Sequence, residues 1–226
     1  MTYLQAGALA TALMLTAQSL TAQHLEAGAV GQNQNDALVW KNAAELASSS
    51  GYVKELTLAT TGRYADLYHG NITLVAMSSV VAGGPAPGSF LLAEIVSVAG
   101  PSGAFFGFWE GVTYGGGATP TFHIATGSEG LSLRYVLSDA SAGAGQVGQD
   151  PFGHLHGRRF TTTEEGLYTV GFRAVDTSVN GAGGGPIHTA SDIVYVNFQA
   201  VPEPSVFALA GTGLVGLWLL HRKRRS

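Results

Sequence analysis

Apolar residues in the middle of the chain gather in short runs rather than at helical spacing. β-Branched and aromatic positions cluster at residues 37–40, 52–59, 72–81, 90–98, 104–109, 120–125, 131–137, 167–175 and 193–198, with glycine, proline and serine between them. Runs of this length bounded by turn formers predict strands. Across 167–175 the alternation is explicit: Tyr168, Val170, Phe172 and Ala174 fall on one face, Thr169, Gly171 and Arg173 on the other. That two-residue period belongs to a strand with one face in a core. Nine such segments predict an all-β fold, an antiparallel β-sandwich over residues 24–200. Residues 42–50 are the one stretch with helical character.

Two further apolar runs lie at the ends and are of a different kind. Residues 6–17 sit in a leader without an acidic residue; the run has the length of a signal-peptide core, and Ala17, Ser19, Thr21 and Ala22 offer cleavage points. A signal peptide over 1–23, with its helix, is the expectation. An N-terminal core helix is the rival, because a run of this length alone does not separate the two. Residues 206–220 carry no charge, and Arg222, Lys223, Arg224 and Arg225 follow. A span of this kind crosses a bilayer when its flanks stretch or the membrane thins, and the basic cluster stops the tail on the cytoplasmic side. A C-terminal transmembrane helix is therefore expected.

Composition narrows what the middle segment can do. Only 12% of residues are charged, 32 are glycine and none is cysteine. Disulfides, thiolate zinc sites and cysteine nucleophiles are excluded, and any metal must be held by His, Asp, Glu or backbone. The net charge of −4 hides the basic tail; setting those four residues aside leaves seven basic against fifteen acidic residues. That balance argues against a nucleic-acid partner, which needs clustered positive charge. The glycine stretches 115–117 and 181–185 lack the helix N-terminus and lysine of a phosphate loop and read as surface loops.

Between the strand-rich segment and the apolar span stand Pro202, Glu203 and Pro204. Motif, apolar span and basic tail, in that order over residues 201–226, resemble the PEP-CTERM sorting signal of exported bacterial proteins. The resemblance implies a precursor in the inner membrane, recognition near the motif by an exosortase, a membrane transpeptidase-like enzyme, and delivery to the cell surface or extracellular matrix. A permanent single-span anchor is the alternative. The segment Glu164-Glu165-Gly166-Leu167-Tyr168 is similar to the tyrosine corner of immunoglobulin-like sandwiches, which implies a structural role for Tyr168. An immunoglobulin-like or jelly-roll-like sandwich would accommodate it.

Candidate chemistry rests on histidine. In Gly153-His154-Leu155-His156-Gly157, His154 and His156 share a face of an extended segment, close enough to chelate one ion. His188, on a loop before the last strand, is the chosen third ligand, with His24, His69, His123 and Asp150 in reserve. Zinc or copper would suit neutral imidazoles. The competing reading is that these histidines are hydrogen-bonded loop residues. Were the leader cut after Gln23, the amine and ring of His24 would together offer copper a site. No Gly-x-Ser-x-Gly elbow appears, and the adjacent Glu164 and Glu165 make a poor glycosidase pair. Arg158 and Arg159 would grip an acidic polysaccharide or solvate a loop, and Trp40, Trp109 and Tyr114 would stack on sugar rings or fill the core.

The run from Gly153 to Thr161, followed by Glu165 to Val170, resembles the H-x-H module of bacterial surface-anchored domains. Some of these are zinc-regulated cyanobacterial PEP-CTERM proteins, which implies metal handling outside the membrane; Gly157-Arg158-Arg159 departs from the Asn-Trp usual there. The expectation is a non-catalytic, exported envelope or matrix protein binding a divalent metal. The alternatives are an exopolysaccharide-binding matrix module and a metal-dependent enzyme.

Overall fold

The computed structural model describes residues 24–202, and within them the chain is built almost wholly of strands. They are β1 (His24–Ala29), β2 (Leu38–Trp40), β3 (Val53–Leu58), β4 (Tyr68–Gly70), β5 (Thr73–Ala76), β6 (Leu91–Ala99), β7 (Phe105–Trp109), β8 (Phe122–Ala125), β9 (Leu133–Val136), β10 (Arg159–Thr162), β11 (Gly166–Asp176) and β12 (Val194–Val201). The one α-helix among the described residues, α1 (Ala43–Leu46), falls inside the one stretch of helical character. Each of the nine sequence-read runs contains a strand. Three strands fall outside those runs. β1 opens the described residues and is rich in Ala and Gly, while β4 and β10 are too short to display a period.

Three strands form one sheet in the order β2-β1-β5, and nine form the other in the order β8-β7-β10-β4-β3-β12-β11-β6-β9. The larger sheet doubles back on itself. β10 and β11 are separated by three strands, yet Phe160 and Phe172 bring their ring centroids to 5.7 Å. At the far side Phe108 of β7 stacks on Tyr135 of β9 at 4.1 Å. The all-β expectation holds, in a sandwich or barrel-like form. Uniformly antiparallel pairing does not hold, because β1 runs parallel to β5 and β12 parallel to β3. Both parallel pairs join strands distant in sequence, where no tight turn forces reversal.

The interior of the fold is aromatic. Phe106, Phe160, Phe172 and Phe198 are essentially fully buried, and Phe160 meets the other three as well as Phe108. The alternation read across 167–175 is the observed one, with Tyr168, Val170, Phe172 and Ala174 inside. Its phase survives a bulge, since Val96 is the extra residue of β6 between the partners of Gly171 and Phe172. Tyr168 makes the expected corner: its Oη donates to the carbonyl of Glu164 at 2.9 Å.

Among the described residues no helix is long and apolar enough to cross a membrane. The expected signal peptide over 1–23, the transmembrane helix, Glu203, Pro204 and the basic residues Arg222, Lys223, Arg224 and Arg225 lie outside the described residues.

Candidate functional site

The H-x-H segment is fixed by its neighbours. Gly153 exchanges two backbone hydrogen bonds with Ala76 at the end of β5 (3.0 and 3.2 Å). A side chain at 153 would run into the Leu137 carbonyl and the Asp139 amide, so the close approach requires glycine. Leu155 then turns inward and is buried, leaving His154 half-buried and His156 exposed on the other side. Their ring centroids are 4.3 Å apart. β5 lies beside β1, and His24 at the start of β1 brings its ring edge-on to His154 at 4.6 Å.

Three imidazoles therefore pack as one cluster, and His154 Nε2 is buried without a hydrogen-bond partner. Partial burial, then the His156 and His24 rings beside it, hold the His154 pKa below the ordinary histidine value. A pKa lowered in this way favours the neutral ring, whose lone pair a metal ligand needs. The rings lie tilted and edge-on rather than aimed at a common point, and among the described residues no group of three or more His, Asp or Glu side chains is arranged to hold a metal ion.

His188 does not join this cluster. It is buried at the other end of β1, next to the bridge between Ala37 and Thr189. His24 and Ala29 are separated along that strand by about 16 Å at the usual rise per residue. His188 Nε2 accepts from the Ala86 amide at 2.9 Å, and Nδ1 faces the Asp36 carbonyl at 2.9 Å. The first bond leaves the proton on Nδ1, which donates to the second partner. Both nitrogens are occupied, so the ring ties three loops together and has no lone pair for an ion. Nothing in its sequence context separates this role from ligation, because Gly-Pro-Ile-His on a loop suits either.

The reserve ligands are placed elsewhere. His69 stacks on Tyr64, and burial, assisted by the Arg159 charge, lowers its pKa. His123 stacks on Phe105. Asp150 caps a turn, accepting from the Ser78 hydroxyl and from the amides of Ser79 and Phe152. Desolvation opposes its ionisation, but these hydrogen bonds outweigh it and hold the carboxyl below the usual range.

Several residues proposed for sugar contact are structural. Trp109 is buried and donates to Thr161 Oγ1 at 2.8 Å, and Trp40 is buried in the core. Arg158 is buried too, making a bidentate pair with Glu110 at 2.7 and 3.0 Å beneath the Tyr135 ring. Arg159 is half-buried and donates to the Arg158 carbonyl. Only Tyr114 of this set is exposed. An exposed aromatic that sequence reading passed over is Tyr195. Its signal was the alternation of β12, where Val194, Val196, Phe198 and Ala200 point inward and residue 195 must point out.

At the other end of the molecule β12 runs to Val201 and is followed at once by Pro202. Residues 200–225 match the family described as the PEP-CTERM protein-sorting motif. The match makes the chain a carrier of that signal and supports an exported protein, sorted to the cell surface by an exosortase-type enzyme from a membrane-associated precursor. No curated protein and no solved structure matches the chain.

Proposed function

We propose that this carrier of a PEP-CTERM signal is a non-catalytic β-sheet module displayed at the cell surface or in the extracellular matrix. The supporting observation is the junction between fold and signal. β12 is an inner strand, paired with β11 on one side and β3 on the other, and the motif begins as the strand ends. A cut near the motif leaves every strand pairing of the described fold intact, so processing releases a finished module. The proposed layout is a signal peptide over 1–23, the module over 24–200 and the sorting segment over 201–226. The non-catalytic reading is supported by the use of its carboxylates: Glu94, Glu110, Asp150 and Asp176 are each committed to ion pairs or backbone amides.

The test replaces Pro202, Glu203 and Pro204 with alanine and follows cell fractions by intact mass. The wild-type chain is expected at the surface, trimmed at both ends, and the variant as an untrimmed membrane precursor. Full-length wild-type protein soluble in the cytosol would overturn the reading.

A second reading is favoured by the ring cluster. His154 and His156, with His24 in place of His188, offer a divalent ion two or three imidazoles once the rings turn toward it, and zinc or copper fits such nitrogen donors. Zinc or copper added to the purified full-length chain should raise its melting temperature, and H154A/H156A should remove the effect. An unchanged melting curve and no uptake by the wild-type chain would sink the metal reading and leave surface display untouched.

A further inference from the structure

The outer face of the larger sheet, opposite the aromatic core, carries a groove of about 480 Å³. Its floor is β6 and β11, one wall is the loop 127–132, and the other is the ridge of Ile193 and Tyr195, each at least 40% exposed. A second groove of about 380 Å³ lies on the far side of the same ridge, reaching to Trp40, Ser48 and Asp192. The two share Ile193 and Tyr195, so the Tyr195 ring stands between adjoining troughs.

Gly171 lies beneath the floor, and because it has no side chain the neighbouring side chains close over it. Gly171 lies directly across from Ser97 on β6 and from Tyr195 on β12. A Cβ there would come to 2.7 Å from Ser97 Oγ, 2.9 Å from Val96 Cγ2 and 3.2 Å from Ile193 Cγ2. At the end of the floor Arg173 is held in place: Glu94, fully buried, accepts from its Nε at 2.8 Å and from its Nη2, and also from Arg134 Nε at 2.8 Å. One carboxylate thus orients two guanidinium groups. Thr169 is fixed similarly, by donating to Asn197 at 2.8 Å.

We infer that this double groove is a binding site for a short oligosaccharide, with Tyr195 as the platform on which a sugar ring stacks. The chemistry discriminates among ligand classes. A peptide binding by strand addition needs a free sheet edge, and β11 and β12 are paired on both sides. Nucleic acid needs clustered positive charge, whereas Glu129 and Asp192 line the two troughs. A compact metabolite would be enclosed in one concave pocket, not laid across a ridge. An elongated, uncharged or weakly charged ligand with apolar ring faces and hydroxyl edges fits what is present: an exposed aromatic face, hydroxyls at Ser97 and at Thr169, the latter held by Asn197, and an oriented guanidinium. Aromatic side chains with an apolar face and a polar tip suit ligands of that mixed character.

The inference deepens the surface-display reading by naming what the displayed module touches, but its test is independent of sorting. Purified full-length protein in detergent is run by affinity electrophoresis through gels containing cellohexaose-bearing, chitohexaose-bearing or mannohexaose-bearing polymer. Retardation by at least one is expected. Y195A should weaken that interaction at least tenfold with an unchanged melting temperature, since the ring is exposed and outside the core. I193T, on the same ridge, should also weaken binding. No retardation of wild-type protein by any of the three glycans, or equal retardation of wild type and Y195A, would overturn the assignment. If the glycan binds in the gel but the protein is found in the cytosol of producing cells, sorting fails and the groove stands.

Discussion

The inside and the outside of the larger sheet are stabilised by different means. Inside, Phe106, Phe160, Phe172 and Phe198 interlock with centroids 5.3 to 6.5 Å apart, and no charge is involved. Outside, where β6 lies between β9 and β11, Glu94 is fully buried under two arginines that remain partly exposed. The first is apolar burial, with no titrating group in it. The second is a desolvated carboxylate whose stability depends on its partners staying in place. The groove-bearing face is thus stiffened electrostatically, while the phenylalanine cluster is not.

Phe160→Ala should break the inner side most severely. It removes the ring that touches four others, and large-to-small changes of this kind cost about 3–5 kcal/mol. Chemical denaturation should show the same loss at pH 7 and at pH 4. Glu94→Gln should come next, at about 3 kcal/mol, because it leaves two guanidinium groups without their counter-charge. Here pH is diagnostic. Burial works against ionisation of Glu94, but the hydrogen bonds and charges of Arg134 and Arg173 prevail and lower its pKa from the ordinary 4.5. A carboxyl depressed in the folded state contributes fully above its unfolded pKa and loses that contribution as pH falls through the folded one. The gap between wild type and Glu94→Gln should therefore be widest above pH 4.5 and shrink in acid. A gap of constant size would mean that the carboxylate's charge contributes nothing.

What the sequence disclosed follows the same division. The core strands were readable because burial on one face writes a two-residue period, as in 168–174. Phe160 was not, although it is the hub of that core: it sits on a four-residue strand between an H-x-H loop and a run of threonines, too short to show a period. The polar ties were harder still. Arg158 reads as a solvated loop residue, and only the fold places Glu110 beside it, forty-eight positions away. His188 reads as a ligand, and only the fold supplies Ala86 and Asp36. The sorting signal was fully legible, because its recognition depends on linear order and not on folding.

Tyr168 tests whether the edge of the core depends on a polar bond. Tyr168→Phe keeps the ring, which packs against Phe106, and deletes one hydrogen bond to the Glu164 carbonyl. Glu164 is exposed, so water can reach its carbonyl once the hydroxyl is gone. The expected loss is about 1 kcal/mol, a drop in Tm of about 2–4 °C for a domain of this size. A larger loss would show that the corner orients β11 rather than merely satisfying a carbonyl.

The smallest effect on stability is expected where the comparison leaves the sheet altogether. Among the described residues, His154, His156 and His24 make ring contacts but no side-chain hydrogen bond, and His156 is exposed. Removing the first two by H154A/H156A should change the metal-free stability by no more than about 0.5 kcal/mol, the usual range for surface changes without a structural partner. Bound zinc or copper would reverse that picture, since an ion that binds only the folded chain adds stability in proportion to the logarithm of its concentration over its Kd. Denaturation curves of wild type and double variant should then coincide with chelator and diverge as metal is added. Divergence already present in chelator would show instead that the rings are packing elements of the β1–β5 sheet, and the cluster would join the structural side of the molecule.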